Sequence, residues 1–439
     1  MDDPDTSIVH EAGHPLSFRN FRYYLIGRLS TNLAQNAMVL VIGWQAYNIA
    51  RETMDTRAAA AQLGLIGLIQ FLPLFLLTPV SGWVADHFDR RRIAQSTAFL
   101  QLLCAGALGL ATYEGWVSLP IIFGIAAFLG VARAFSGPAL GALAPNLVPA
   151  EVLPRAIALS SLAWQAGVII GPAMGGYAYA FRHWGAYAIA SALLLVGIAG
   201  LAFIGKVPQP TRDTERHPLH QMVDGLAYVK RNRLVQGAIT LDLFAVLLAG
   251  TTALLPVYAR DILHVGPTGL GHLAAAPAVG AAATALWFTF RPLKTDVGVK
   301  MLAAVIVFGL ATMIFGATAF IPAPWAMIVA LIAMVIWGSA DMFSVFVRQT
   351  LVQVYTPDEM RGRVGSVSQV SISASNELGE AESGFLAALI GPVAAVILGG
   401  AGAIIVTLLW SRLYPELRLA RTFDPPDMPT ADTGKESRT

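Results

Sequence analysis

The chain has 439 residues, of which 56% are hydrophobic and 13% charged, and its mean hydropathy is +0.62. So few polar groups cannot cover the surface of a water-soluble domain, which excludes a soluble globular protein. A formal net charge of +2 is too small to argue for a nucleic-acid partner.

Residues 1–17 carry Asp2, Asp3 and Asp5 and no basic stretch ahead of an apolar core, so the segment is expected to stay in the cytosol instead of acting as a cleavable signal. It contains His10-Glu11-Ala-Gly-His14, which spells the zinc-protease pattern in which two histidines bind metal and the glutamate activates water. Gly13 and Pro15 oppose the helix that pattern needs, and the chain leaves no room for a catalytic domain. No enzyme activity, metal or cofactor is expected.

Twelve apolar runs of about 20 residues come next, each long enough to cross the hydrocarbon as a helix. They are expected at 21–48, 61–84, 92–113, 117–140, 156–179, 184–205, 235–259, 267–290, 299–320, 325–349, 364–388 and 391–411. The runs lack the alternation of barrel strands, so the fold class is an all-α membrane protein. The lone cysteine, Cys104, falls in the third span and reads as a packing residue.

The first span holds Arg28, Asn32, Gln35 and Asn36 at helical spacing on one face, a polar stripe that must face protein or water. Either a substrate cavity or a buried hydrogen-bonded network accounts for it. Basic residues gather in alternate connections, among them Arg90, Arg91 and Arg92 after the second span, Lys230, Arg231 and Arg233 before the seventh, and Arg412, Arg418 and Arg421 after the last. By the positive-inside rule both termini and the middle link are cytoplasmic. The chain then divides into a tail 1–18, a six-helix bundle 19–205, a linker 206–234, a second bundle 235–411 and a tail 412–439 that is expected to be disordered. Within the linker, Leu219, Met222, Val223, Leu226 and Val229 mark an amphipathic helix on the cytoplasmic face.

The halves repeat. Pro149-Ala-Glu151-Val-Leu-Pro-Arg155 opens the fifth span and Pro357-Asp-Glu359-Met-Arg-Gly-Arg363 the eleventh, at an offset of 208 (357 − 149 and 363 − 155). The same offset pairs Gly130 with Gly338 and Gly176 with Gly384. Two pseudo-symmetric six-helix bundles that rock around a central site are a transporter signature.

After the second span comes Gly82-Trp-Val-Ala-Asp86-His-Phe-Asp89-Arg90-Arg91-Arg92, and the fifth span contains Gly167-Val-Ile-Ile-Gly171-Pro172-Ala-Met-Gly175-Gly176. The first resembles the loop between helices 2 and 3 of the major facilitator superfamily, and the second the Gly-Pro motif of that superfamily's antiporters. With the Pro357 to Arg363 segment, the combination is similar to the branch of enterobactin exporters and drug-efflux permeases. The resemblance implies that Gly82 permits close helix approach, that Asp86 caps a helix and pairs with arginine such as Arg90, and that Gly171 and Pro172 bend and pack the fifth helix. It also implies that helices 4 and 10 face each other, so Arg133 and Asp341, equivalent under the repeat, form a gate. The alternative is that Asp341 neutralises Arg348 on its own helix.

Glu377, Glu380 and Glu382 lie in the eleventh span, although a charged side chain at the centre of a spanning helix costs roughly 2.5–3.5 kcal/mol. At about 100° per residue Glu377 and Glu380 are roughly 60° apart, while Glu382 points elsewhere. The pair is assigned to the cavity and to proton coupling, with Asp242 of the seventh span as a further candidate that either titrates or balances Arg28. No phosphate-binding Gly-x-x-x-x-Gly-Lys stretch occurs, which removes direct ATP drive.

The expected function is a secondary active transporter that exports a small amphipathic molecule, a siderophore or drug, against protons by alternating access. The acids of the second half favour a substrate of cationic character. A divalent-metal exporter using the same carboxylates and a lipid-translocating protein are the alternatives. The expected partners are the substrate, protons and the bilayer of a bacterial inner membrane, with the chain a monomer.

Overall fold

The structure, a computed structural model, describes residues 14–205, 218–291 and 293–423. The first half comprises α1 (Arg19–Thr53), α2 (Thr56–His87), α3 (Arg90–Tyr113), α4 (Leu119–Leu143), α5 (Leu153–Phe181) and α6 (Gly185–Ala202). An amphipathic α7 (Pro218–Arg231) leads into α8 (Arg233–Leu248), α9 (Leu255–Val257), α10 (Gly266–Phe290), α11 (Val297–Ala317), α12 (Trp325–Val354), α13 (Asp358–Ile390), α14 (Pro392–Leu413) and α15 (Pro415–Leu419). The seventh span, Arg233–Ile262, is α8 continued through a 3-10 turn, α9 and a π-helical turn at Tyr258–Ile262.

Among the described residues, ten helical stretches are long and apolar enough to cross a membrane. The other two long helices, α1 with 35 residues and α13 with 33, are diluted in their middle by polar residues that line interior cavities. Lipid tolerates such helices only where the polar face is turned inward.

The two bundles repeat in their packing. In the first, α1 packs on α5 and α6, α2 on α4, and α3 on α4 and α6; in the second, α8 packs on α13 and α14, α10 on α12, and α11 on α12 and α14. Equivalent glycines make equivalent approaches: a Cβ on Gly130 would lie 2.5 Å from the Gln70 carbonyl of α2, and one on Gly338 would strike the Pro277 carbonyl of α10. The bundles meet along α2 with α13 and α5 with α10. There Gly176 of α5 abuts Pro267 and Gly271, and its repeat partner Gly384 of α13 abuts Gly64 of α2. Small residues bring backbones into contact where lipid supplies no hydrophobic drive for association.

The chain departs from the sequence reading at two places. The disordered tail expected from 412 onward is folded as far as residue 423: Leu417 and Ala420 are buried, and the amides of Val297 and Gly298 donate to the carbonyls of Arg421 and Ala420 at 3.3 and 3.0 Å. Those carbonyls satisfy amides that a helix start leaves without partners. Gly82 makes no close approach in this conformation, since a Cβ there has no described atom within 4 Å. The N-cap of α3 is Asp89, whose Oδ1 accepts from the Arg91 amide at 2.9 Å. The side chain of Asp86 lies outside the described residues.

The linker helix α7 is anchored on α13. Its Gly225 sits 2.6 Å, in terms of an added Cβ, from the Arg363 carbonyl, and Asp224 pairs with the Arg363 guanidinium at 3.1 Å. Val229 is buried in that contact, while Val223 and Leu226 stay exposed.

Candidate functional site

A cavity of about 290 Å³ lies between the bundles, and α13 supplies its two acids, Glu377 and Glu380, one helical turn apart. They can share it because Gly67 of α2, opposite them, has no side chain to fill the space. Arg133 of α4 reaches in from the first bundle, and its Nη2 donates to Glu377 Oε1 at 2.7 Å while Nη1 donates to Gln70 Oε1 at 3.2 Å. Glu377 is 7% exposed, so its charge is held by this ion pair and not by water. Glu380 is half-buried and accepts from Thr252 Oγ1 at 3.1 Å. That threonine stands in the 3-10 turn that interrupts the seventh span, where the broken helix exposes side chains to the cavity. Glu382 lies outside the cavity, with Ser383 as its contact at 3.5 Å.

Arg133 also lines a wider cavity of about 680 Å³, nearer the bundle end where α1 begins and α14 ends. Here α2 and α13, in backbone contact at Gly64 and Gly384, separate, so that Phe71 and Phe75 face Gln369 and Ser373. Arg28 and Trp164 complete the wall. Arg28 Nη1 donates to Tyr24 Oη at 2.9 Å, and its Nε is buried without a protein acceptor. No acid is found among the described residues that line this cavity.

The opposite end of the molecule is clasped shut. Asp261, on the π-helical turn of the second bundle, accepts on Oδ2 from three side chains of the first: Tyr47 Oη at 2.6 Å, Arg51 Nε at 2.9 Å and Thr56 Oγ1 at 3.2 Å. Next to it Arg260 Nη1 donates to the Asn48 carbonyl at 3.2 Å. Sequence reading missed this group because charges at span ends read as interfacial. The repeat carried no signal for it either, since the 208 offset equates Asp261 with the neutral Thr53.

The expected site residues divide accordingly. Gln35 and Asn36 line the narrow cavity and Arg28 the wide one, whereas Asn32 serves the network alternative, donating to the Trp164 carbonyl at 2.6 Å. Gly171 packs on α1 at Leu33 and Asn36, and Pro172 borders the narrow cavity. Arg90 Nη1 donates to the Ala142 carbonyl at 3.1 Å, tying α3 to α4. The Arg133–Asp341 pair is not formed here, because Arg133 is turned to α13. Asp242 does not balance Arg28; it forms a buried ion pair with Arg348, which displaces the expected Asp341–Arg348 contact, and Asp341 lies beside it around a small void. Neither acid borders the two cavities that Arg133 lines.

Two interior cavities joined at a charged pair, with one end clasped, is the geometry of a carrier. The family model of the Major Facilitator Superfamily matches residues 33–380. The chain belongs to the major facilitator superfamily. It is 29% identical over 375 residues to the enterobactin exporter EntS of Citrobacter koseri, covering 84% of this chain and 86% of that protein. To EntS of Escherichia coli (strain SMS-3-5) it is 28% identical over 379 residues, covering 85% and 88%. A crystal structure of a D-xylose-proton symporter superposes with a TM-score of 0.67 at 14% identity, covering 91% of this chain and 98% of that one. As a member of this superfamily the chain is a membrane transporter and not an enzyme. His10 and Glu11 of the protease-like pattern lie outside the described residues, and His14 accepts from the Leu16 amide at 3.3 Å as a cap.

Proposed function

We propose that the protein exports a small amphipathic molecule, a siderophore or drug, in exchange for protons, by alternating access in the bacterial inner membrane with both termini in the cytosol. The single observation that carries the reading is the ion pair between Arg133 and Glu377, formed across the two bundles and next to a second acid, Glu380. A carboxylate that holds the opposite bundle while charged and lets go when protonated couples proton binding to the rocking of the bundles. The similarity to enterobactin exporters supports the direction and the substrate class. With the termini cytosolic, the clasp at Asp261 closes the outer end and the wide cavity faces inward, one of the two states the cycle requires.

The test is a pH-dye assay in proteoliposomes with an imposed gradient, using siderophores, cationic drugs and divalent metals in turn. Siderophores or drugs should collapse the gradient, and Glu377→Gln with Glu380→Gln should abolish the collapse. Collapse by metals alone, or full proton-driven transport in the double variant, would overturn the reading.

A further inference from the structure

We propose that the groove where α7, α8, α12 and α15 meet binds a phospholipid of net negative headgroup, with its phosphate between Arg231 and Arg421 and its acyl chains along α8 and α14. The inference is independent of the substrate and of proton coupling, and goes beyond both.

Charge selects the ligand. The groove has a volume of about 1020 Å³ and is lined by three guanidinium groups: Arg231 at the end of α7, Arg233 at the start of α8, and Arg421 just after α15. Against them stands one acid among the described lining residues, Glu416. That acid is held by Arg233, whose Nε donates to Glu416 Oε1 at 2.7 Å while Nη2 donates to the Leu413 carbonyl at 2.7 Å. Arg231 and Arg421 are exposed, and neither side chain has an ion pair or hydrogen bond among the described residues.

The floor between them is already built. Tyr228 Oη donates to the Tyr355 carbonyl at 2.7 Å, and Asn232 caps α8 by accepting from the Val235 amide at 3.2 Å. Two unpaired guanidinium forks above a hydrogen-bonded floor suit a phosphate oxyanion.

Position selects the source of that phosphate. The span Arg233–Ile262 begins in the groove, the span Trp325–Val354 stops one residue before Tyr355, and the span Pro392–Leu413 stops three residues before Glu416. The groove therefore lies at the level where hydrocarbon gives way to headgroups. An aromatic band runs from it along α14 and α8. The Arg233 guanidinium lies over the Tyr414 ring at 5.5 Å, Tyr414 is 6.1 Å from Trp410, and Trp410 is 5.2 Å from Phe244. Phe244, Leu409 and Leu413 beside this band are exposed, as is Leu419 on the groove wall. A soluble phosphate gains nothing from these side chains, whereas a phospholipid meets both the charge and the apolar track.

Arginines are common at this level of a membrane protein, so the claim concerns these two and not the rim as a whole. Arg412 and Arg418 are equally exposed on the same rim but do not line the groove, which makes them the control.

The experiment uses the purified full-length protein in detergent and three probes: dioctanoyl phosphatidylglycerol, dioctanoyl phosphatidylcholine and glycerol 3-phosphate. Native mass spectrometry reads the affinity, and thermal unfolding reads the stabilisation that a bound ligand confers. Phosphatidylglycerol is expected to bind about tenfold more tightly than phosphatidylcholine and to raise the unfolding midpoint, with glycerol 3-phosphate doing neither. Arg231→Gln with Arg421→Gln should weaken phosphatidylglycerol binding about tenfold or more and erase the preference. The lipid-free midpoint should stay unchanged, because neither guanidinium holds a protein group. Arg412→Gln with Arg418→Gln removes the same charge and should leave the preference intact.

Equal binding of the two lipids, or equal losses in the two double variants, would overturn the proposal, the second by reducing it to general surface charge. Binding of glycerol 3-phosphate as tight as that of the lipid would overturn it in favour of a soluble phosphate. The comparison of probes is made on the unmodified protein and does not depend on how the variants fold. No gradient or transported substrate enters the measurement, so its failure leaves the export reading untouched.

Discussion

Arg133 of α4 and Glu377 of α13 hold one another at 2.7 Å, and each belongs to a different bundle. Any rocking that opens the clasped end must stretch or break this contact, while contacts within each bundle are untouched. The pair is therefore placed to report the state of the whole molecule. Removing either partner of a buried pair strands the other charge, and the cost of that falls away when both are neutral.

A double-mutant cycle should show this. Arg133→Gln and Glu377→Gln should each lower the thermal unfolding midpoint in detergent, and the double variant should recover part of the loss. The expected coupling is about 2 kcal/mol, within the range for charged groups in direct contact. Strictly additive losses would mean that the two charges do not sense each other.

The clasp makes a second prediction, about populations. Hydrogen bonds to a charged acceptor contribute roughly 1.5–3 kcal/mol each, and Asp261 accepts three from the other bundle. Asp261→Asn should therefore shift the balance towards the state open at that end by at least tenfold, which corresponds to about 1.4 kcal/mol. Spin labels at Glu114→Cys and Phe320→Cys, both exposed at the clasped end, with Cys104→Ser as background, would read the change as a longer distance population. An unchanged distribution would remove Asp261 from the gate.

How much of this was legible in the sequence differs between fold and site, for physical reasons. Apolar runs of bilayer length announce themselves one at a time, and the offset of 208 that equates Gly130 with Gly338 is carried in the chain itself, so the spans and the two bundles could be read directly. Glu377 and Glu380 stood out for the same reason, as charges in the wrong solvent, and helical spacing separated them from Glu382. Pairing across elements is another matter. Arg133 and Asp341 are equivalent under the repeat, but equivalence places residues symmetrically and does not bring them into contact; Arg133 found its partner on α13 instead. Asp242 found Arg348, a residue on α12 that nothing in its own helix could indicate. Asp261 looked like an ordinary interfacial charge until the π-helical turn brought it under Tyr47 and Arg51.

Two glycines of α2 should respond in opposite ways to the same methyl group. On Gly64, a Cβ would stand 2.8 Å from the Ala381 carbonyl and 3.1 Å from Gly384 Cα, both backbone atoms that cannot rotate aside. Gly64→Ala should therefore separate α2 from α13 and lower the unfolding midpoint. Gly82, with no described atom within 4 Å of its Cβ position, should accept alanine without loss and gain up to about 1 kcal/mol of helix propensity. A matched loss at both positions would show that Gly82 is packed in a way this conformation does not display.

The buried pair of Asp242 and Arg348 separates a structural charge from a transporting one. Arg348 is 2% and Asp242 7% exposed, they belong to α12 and α8 of the same bundle, and neither borders the cavities that hold Arg133 and Glu377. Rocking of one bundle against the other leaves such a pair intact, so its contribution is to stability. Asp242→Asn should cost about 3–5 kcal/mol by stranding the guanidinium, and Asp242→Asn with Arg348→Met should restore most of it, since well-packed neutral side chains replace buried pairs at little cost. In proteoliposomes the restored double variant should keep gradient-driven transport with the proton stoichiometry of the unmodified protein, whereas Glu377→Gln should not. Loss of proton coupling in a double variant that is as stable as the parent would return Asp242 to the proton path.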